Sequence, residues 1–225
     1  MSLIVAIDGP AGSGKSSTAR AVASALSFLY LDTGAMYRAV ALAFHRRGLP
    51  FTEKAADVVL PNIHLDLPLI DGKIHVLLNG EDVSKELRGP EAGMRASRVS
   101  LLESVRRRMV EEQRRIGRAS LAEGSGVVLE GRDIGTVVFP DAGLKIFMIA
   151  DPAVRARRRL DEYKSLGQQT DFGSVLKEIK RRDRQDSDRQ LAPLKMAEDA
   201  VVVDTSVLTF EEQVNLILNM VRERA

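Results

Sequence analysis

Gly9-Pro10-Ala11-Gly12-Ser13-Gly14-Lys15-Ser16 gathers, within eight residues, the residue types that hold a polyphosphate. Glycines at these spacings let backbone N–H groups converge on phosphate oxygens, a lysine directly after them reaches the β- and γ-phosphates, and a hydroxyl beside it takes a place on Mg²⁺. A glycine-rich turn that only links a strand to a helix would explain the glycines but not the Lys15-Ser16 pair. The flanks meet the context the motif requires. Leu3 to Ile7 is a short apolar run that predicts a buried strand, and Ser17 to Leu26 carries an Ala-rich helical pattern, so the loop from Gly9 to Ser17 is expected at a helix N-terminus.

A phosphate loop does not name the phosphate acceptor, because GTPases, motor ATPases and small-molecule kinases all use one. Arginines supply the second pattern: Arg38, Arg106, Arg132, Arg155, Arg158, Arg159, Arg182 and Arg189 are scattered along the chain. Phosphoryl transfer between two anionic substrates brings like charges together, and planar guanidinium forks both neutralise that repulsion and fix an in-line geometry. Arg155 and Arg159 are four apart, so a helix starting near Pro152 places them on one face with Arg158 adjacent. Lys164 to Gly173 is short and polar and reads as the tip of a lid that excludes water from the transfer. Arg107, Arg108, Arg114 and Arg115 read instead as a solvated helix face.

The elements that must position these groups alternate between apolar runs and helical periodicity, which predicts an α/β fold with a mainly parallel central sheet and helices on both faces. Strands are expected at Leu3–Ile7, near Phe28–Leu31, and at Val127–Glu130, Lys145–Ile149 and Ala200–Asp204. Helices are expected at Gly34–Arg47, Ser97–Ile116, Pro152–Leu166 and Gly173–Arg189, with a capping box at Thr209-Phe210-Glu211-Glu212 opening the last. One stretch breaks the rhythm. Ile63, Leu65 and Leu67, then Ile74, Val76 and Leu78, alternate with polar residues around Asp71-Gly72, predicting an antiparallel hairpin with a second turn at Asn79-Gly80. The expected organisation is a core of residues 1–61 and 94–225, an antiparallel insert at 62–93, and a lid at 152–173.

The 225 residues carry a formal charge of +2 and no cysteine, which leaves no disulfide and no thiolate metal site and fits a reducing compartment. No apolar run approaches membrane-spanning length, and the first residues do not read as a cleavable signal, so a cytoplasmic location away from membranes is expected. Few aromatics and a nearly balanced charge argue against nucleic acid as a partner.

Three blocks carry a resemblance that spans nearly the whole chain. Leu31-Asp32-Thr33-Gly34-Ala35-Met36-Tyr37-Arg38, then Glu130-Gly131-Arg132-Asp133-Ile134-Gly135-Thr136-Val137-Val138-Phe139-Pro140, then Arg182-Asp183-Arg184-Gln185-Asp186-Ser187-Asp188-Arg189 with Ala192-Pro193-Leu194 closely resemble the bacterial cytidylate (CMP/dCMP) kinases. The resemblance implies a P-loop three-layer sandwich with a small antiparallel monophosphate-binding insert and a helical lid. It implies ATP with Mg²⁺ as phosphoryl donor and CMP or dCMP as acceptor; a monomer is expected.

For the sites, the resemblance puts ATP on Gly9 to Ser17 and Mg²⁺ on Ser16, with Lys15, Arg132, Arg155, Arg158 and Arg159 catalytic. Thr33, Arg38 and Arg132 would hold the monophosphate, and Arg182 with Asp186 the ribose hydroxyls, while Arg189 would join the substrate charges. Arg182, Asp186 and Arg189 are spaced to share one helix face. Asp133 would accept from the cytosine N4 amino group, and Ser97 and Arg106, on one helical stretch, would donate to the ring acceptors. Uracil presents an acceptor where cytosine presents that amino group, so CMP should be preferred over UMP. Many relatives have serine where this chain has Thr33, and either hydroxyl can bond a phosphate.

Overall fold

The computed structural model describes residues 2–70 and 73–224. β1 (Ile4–Asp8) and β8 (Val127–Gly131) are buried at every position, which is why each opens on consecutive apolar residues, Ile4 to Ile7 and Val127 to Leu129: parallel strands covered on both faces have no solvent side to alternate with. They pair in parallel from Ile4↔Val127 to Asp8↔Gly131. β1 also pairs in parallel with β9 (Leu144–Ile149), which pairs in parallel with β10 (Val201–Asp204). With β2 (Leu29–Asp32), these make a five-stranded sheet among the described residues, in the order β10-β9-β1-β8-β2. β1 sits at the centre, so the loop leaving its C-terminal end lies where open α/β sheets receive ligands.

Two compact units divide the chain: residues Met1–Leu31 with Ile116–Ala225, and residues Asp32–Arg115. In the first, α1 (Lys15–Leu26) packs on β1 and β8, and α8 (Phe210–Arg222) packs on α1. The capping box at Thr209 is present as its sequence predicts: the hydroxyl accepts from Glu212 N and the Glu212 carboxylate from Thr209 N. α6 (Pro152–Ser165) and α7 (Phe172–Asp188) pack against each other around Ala156, Tyr163, Val175 and Ile179.

The second unit holds α2 (Thr33–Arg46), α3 (Glu53–Val59), short strands and α4 (Pro90–Val99). The alternating stretch folds as an antiparallel hairpin in one continuous register. β3 (Leu65–Asp66) pairs with β6 (Leu77–Leu78), and β4 (Leu69–Ile70) pairs with β5 (Lys73–Ile74), while the Asp71-Gly72 turn lies outside the described residues. β7 (Glu81–Asp82) returns along β6 after Asn79-Gly80, whose φ values of 53° and 84° are those of the two-residue turn this pair favours.

One expectation needs correction. The helix read across Ser97–Ile116 is two helices, because α4 ends at Val99 and α5 runs Glu103–Ala122. The Ser100 hydroxyl donates to the Ser97 carbonyl (3.0 Å) and tight turn bonds follow at Leu101 and Leu102; the new helix is then capped by Glu53, whose carboxylate accepts from Glu103 N at 2.6 Å. That cap comes from fifty residues away, so no local signal announces it. The sequence reading also missed α3, although Thr52 caps it by accepting from Ala55 N.

Candidate active site

Gly9, Gly12 and Gly14 take φ values of 147°, 77° and 91°, in a region that side chains disfavour, and this lets the loop fold back over the start of α1. Lys15 is the first residue of that helix and is buried. Its Nζ donates to the Pro10 carbonyl at 2.7 Å and lies 3.4 Å from the Ser13 hydroxyl, so the side chain curls over the loop. Burial, with the Arg132 guanidinium second, pushes the Lys15 ammonium down to about 7 against the opposing pull of Glu130, Asp8 and Asp186. Ser17 donates to the Gly14 carbonyl, whereas the exposed Ser16 hydroxyl makes no hydrogen bond among the described residues.

The same unit holds the loop from several sides. Thr205, fully buried at the end of β10, bonds through its hydroxyl to the Ser13 and Ile149 carbonyls (2.9 and 3.1 Å). Gln213 of α8 accepts from the Thr18 hydroxyl (3.1 Å) and donates to the Leu208 carbonyl (3.0 Å).

The three arginines of α6 have different settings. Arg155 is buried and forks onto Asp183 with bonds of 2.9 and 2.7 Å, while also donating to the Ala11 and Ala150 carbonyls; it thereby ties α6 and α7 to the phosphate loop. Arg158 donates to the Thr205 hydroxyl and carbonyl at 3.1 and 2.6 Å. Arg159 is bound locally to Glu162 (2.8 Å), with its guanidinium over the Tyr163 ring. The spacing of four does put Arg155 and Arg159 on one helix, but Arg155 faces the interior and Arg159 its own helix surface.

At the end of β8 the chain turns through Arg132 and Asp133 into a π-helical turn, Ile134–Val138. Arg132 Nε donates to Asp186 Oδ2 at 2.8 Å. Burial alone would raise the Asp186 carboxyl, but Arg132, Arg182 and Arg189 outweigh it and hold the group below the usual carboxylate range. Asp133 lies 3.5 Å from Arg189 Nη2, so the two adjacent residues Arg132 and Asp133 pair with opposite charges from the α7 region and not with each other. Arg182 and Asp186 lie in α7. Arg189 does not share their helix face: α7 stops at Asp188, and Arg189 is its extended capping residue, held by a bond from its Nε to the Ala192 carbonyl.

In the second unit, Asp32 caps α2 by accepting from Ala35 N (2.8 Å) and pairs through its other oxygen with Arg38 (2.9 Å), next to buried Thr33. Ser97 lies near the end of α4. Arg106, on the first turns of α5, is buried, with its guanidinium 5.9 Å above the Tyr37 ring and Nη1 3.5 Å from the Ser100 carbonyl. No group of three or more His, Cys, Asp or Glu side chains that could hold a metal occurs among the described residues.

The sequence model described as Cytidylate kinase matches residues 5–223. The chain belongs to the cytidylate kinase family. A cytidylate kinase of Salinibacter ruber is 50% identical over 220 residues, covering 98% of this chain and 97% of that one. A second, from Thermotoga petrophila, is 46% identical with 100% and 99% covered. Among solved structures the fold is shared with a sugar kinase from Janibacter (TM-score 0.52, 14% identity, 99% and 95% covered) and a gluconokinase from Sinorhizobium meliloti (TM-score 0.50, 16% identity, 99% and 92% covered). Membership accounts for the three sequence blocks, but it does not single out the groups that brace them. Asp8, Thr205 and Gln213 were missed because an isolated Asp, Thr or Gln carries no pattern, and Asp183, inside the third block, was given no role because its partner Arg155 lies 28 residues away. Only Asp32, standing just ahead of a helical run, offered the signal of an N-cap.

Proposed function

We propose that this protein transfers the γ-phosphoryl group of MgATP to CMP or dCMP, giving CDP or dCDP and ADP, in pyrimidine nucleotide metabolism. The observation that carries the reading is the buried Lys15 on its phosphate loop in the same unit as the Arg132–Asp186 and Asp133–Arg189 pairs, in a chain of the cytidylate kinase family. An acceptor phosphate oxygen forms the new bond to the γ-phosphorus, and the bridging oxygen leaves with ADP. The acceptor is already anionic, so the reaction needs no general base.

Catalysis in this reading is positioning and charge. The loop amides and Lys15 hold the donor, and Arg158 and Arg159 exchange their present partners for the charge that spreads over the transferred group; Arg155 serves by fixing α6 to the loop. The exposed Ser16 hydroxyl, which makes no hydrogen bond among the described residues, would hold Mg²⁺, and the ion would supply charge neutralisation at the phosphates. Thr33, Arg38 and Arg132 take the acceptor phosphate, Arg182 and Asp186 the ribose, Arg189 the substrate charges, and Ser97, Arg106 and Asp133 the base. A monomeric cytoplasmic enzyme, acting on small nucleotides and not on nucleic acid, is part of the same reading.

A panel of CMP, dCMP, UMP and AMP with ATP and Mg²⁺, read by ADP release, tests the assignment, with CMP or dCMP expected to lead. Asp133→Asn should lower the CMP-over-UMP ratio of kcat/KM by about tenfold, because the carboxylate is what repels uracil O4. An unchanged ratio would remove Asp133 from base reading.

Lys15 supplies a second expectation. With its ammonium at about 7 in the free protein, most of these side chains are neutral at pH 8, and a bound polyphosphate favours the charged form. Binding of MgATP at pH 8 should therefore take up about one proton, and fewer as the pH falls below 7. Titration calorimetry in buffers of different ionisation enthalpy measures this; no uptake at pH 8 would contradict the assignment.

A further inference from the structure

Asp8 belongs to neither the phosphate loop nor any of the three family blocks, yet it is the last residue of the central strand and nearly fully buried. Its two carboxylate oxygens accept from two successive backbone amides, Ile134 N at 2.9 Å and Gly135 N at 2.7 Å. Those amides immediately follow Arg132-Asp133 and open the π-helical turn. At the other end of that turn's first peptide, the Asp133 carbonyl accepts from Val137 N (2.9 Å) and Val138 N (3.2 Å). Asp133 is thus pinned through its own carbonyl and through the two amides behind it. The ladder adds another tie, because Asp8 is paired with Gly131, the residue before Arg132.

The other side of Asp8 leads straight into the phosphate loop. Gly9 lies so close to β9 that a Cβ there would stand 2.0 Å from the Met148 carbonyl oxygen, so the start of the loop is held by the sheet. A single side chain therefore connects the residue that begins the loop with the segment that carries Arg132 and Asp133. From this geometry we infer that Asp8 is a positioning residue: its carboxylate sets the orientation of Arg132-Asp133 relative to the phosphate loop and so governs acceptor binding and base selectivity. The inference deepens the proposed function and rests on its assignment of Arg132 and Asp133 to the acceptor.

A carboxylate is required because both partners are donors. Asparagine keeps one acceptor and turns an NH₂ group toward the second N–H, leaving a buried amide unpaired. Burial pushes the Asp8 carboxyl up to about 6, with the Gly135 and Ile134 amides and Lys15 opposing and Asp133 adding to the rise; at pH 8 both oxygens are acceptors.

The test is steady-state kinetics of Asp8→Asn at pH 8, with ATP and acceptor varied in turn. KM for CMP is expected to rise about tenfold and the CMP-over-UMP ratio to fall about tenfold, with KM for ATP within about twofold of the parent. If both KM values rise together, or if only thermal stability drops while selectivity holds, Asp8 is a general structural residue and the inference is wrong. Should the variant not be recovered folded, amide exchange in the unaltered protein decides: slow exchange at Ile134 and Gly135 supports the clamp, and exchange as fast as in exposed loops overturns it. Turnover of CMP by the unaltered enzyme tests the functional reading separately. If another acceptor is preferred, the split between donor and acceptor KM in Asp8→Asn still tests Asp8.

Discussion

Lys15→Ala is expected to lower kcat by about 10³-fold while leaving the protein folded, the scale of loss seen when a preorganised charge at a phosphoryl-transfer site is removed. The side chain is already folded over the loop in the free protein, with Nζ on the Pro10 carbonyl, so it starts beside the loop amides that would hold a polyphosphate. The same burial makes it a poor contributor to stability. A lysine whose folded value is depressed to about 7 from 10.5 binds fewer protons in the folded than in the unfolded chain between those values, so its cost to folding is complete below pH 7 and fades as the pH rises toward 10. Removing it should therefore leave the thermal midpoint at pH 7 unchanged or raised, with any gain shrinking toward pH 10. Circular dichroism and ADP-release assays on the purified variant check both halves. A folded variant with near-normal turnover contradicts the assignment of Lys15.

Gly9→Ala should be the most damaging single change to the fold at the loop. Its φ of 147° is one that side chains rarely adopt, and the added Cβ would meet the Met148 carbonyl oxygen at 2.0 Å, a backbone atom of β9 held in the central sheet. Neither partner can give way without opening the β1–β9 pairing. We expect a loss of about 4 kcal/mol or more, equivalent to roughly 10 °C or more in thermal midpoint for a chain of this size, or failure to accumulate as folded protein. Gly48→Ala is the control. That glycine also has a positive φ, of 64°, but nothing lies within 4 Å of its Cβ position, so only the backbone preference, about 1 kcal/mol, is lost. Equal midpoints for the two variants would show that close approach to β9 is not what Gly9 provides.

Much of the frame was legible along the chain, and for local reasons. β1, β8 and β9 read as strands because burial in the sheet favours consecutive apolar residues, Ile4 to Ile7, Val127 to Leu129 and Ile146 to Ile149, and the Asn79-Gly80 turn was legible because few other pairs accept two positive φ values. The break between α4 and α5 was not. Helical periodicity continues from Ser97 through Ile116, and what divides it is Glu53, a carboxylate brought to the Glu103 amide by folding.

The site divides along the same line. Lys15 and its glycines stand within one loop, where spacing alone implies chemistry, so the amino-acid sequence by itself determined the phosphate cradle, the α/β class and the family. The tertiary structure decided what each arginine and carboxylate faces: Arg155 turned inward onto Asp183, Arg132 joined to Asp186, and Asp8 bound to the amides behind Asp133. Pairs between residues tens of positions apart depend on how strands and helices are stacked, and charge type and spacing do not encode that stacking. A buried carboxylate with two amide partners looks, in the sequence, like any other aspartate.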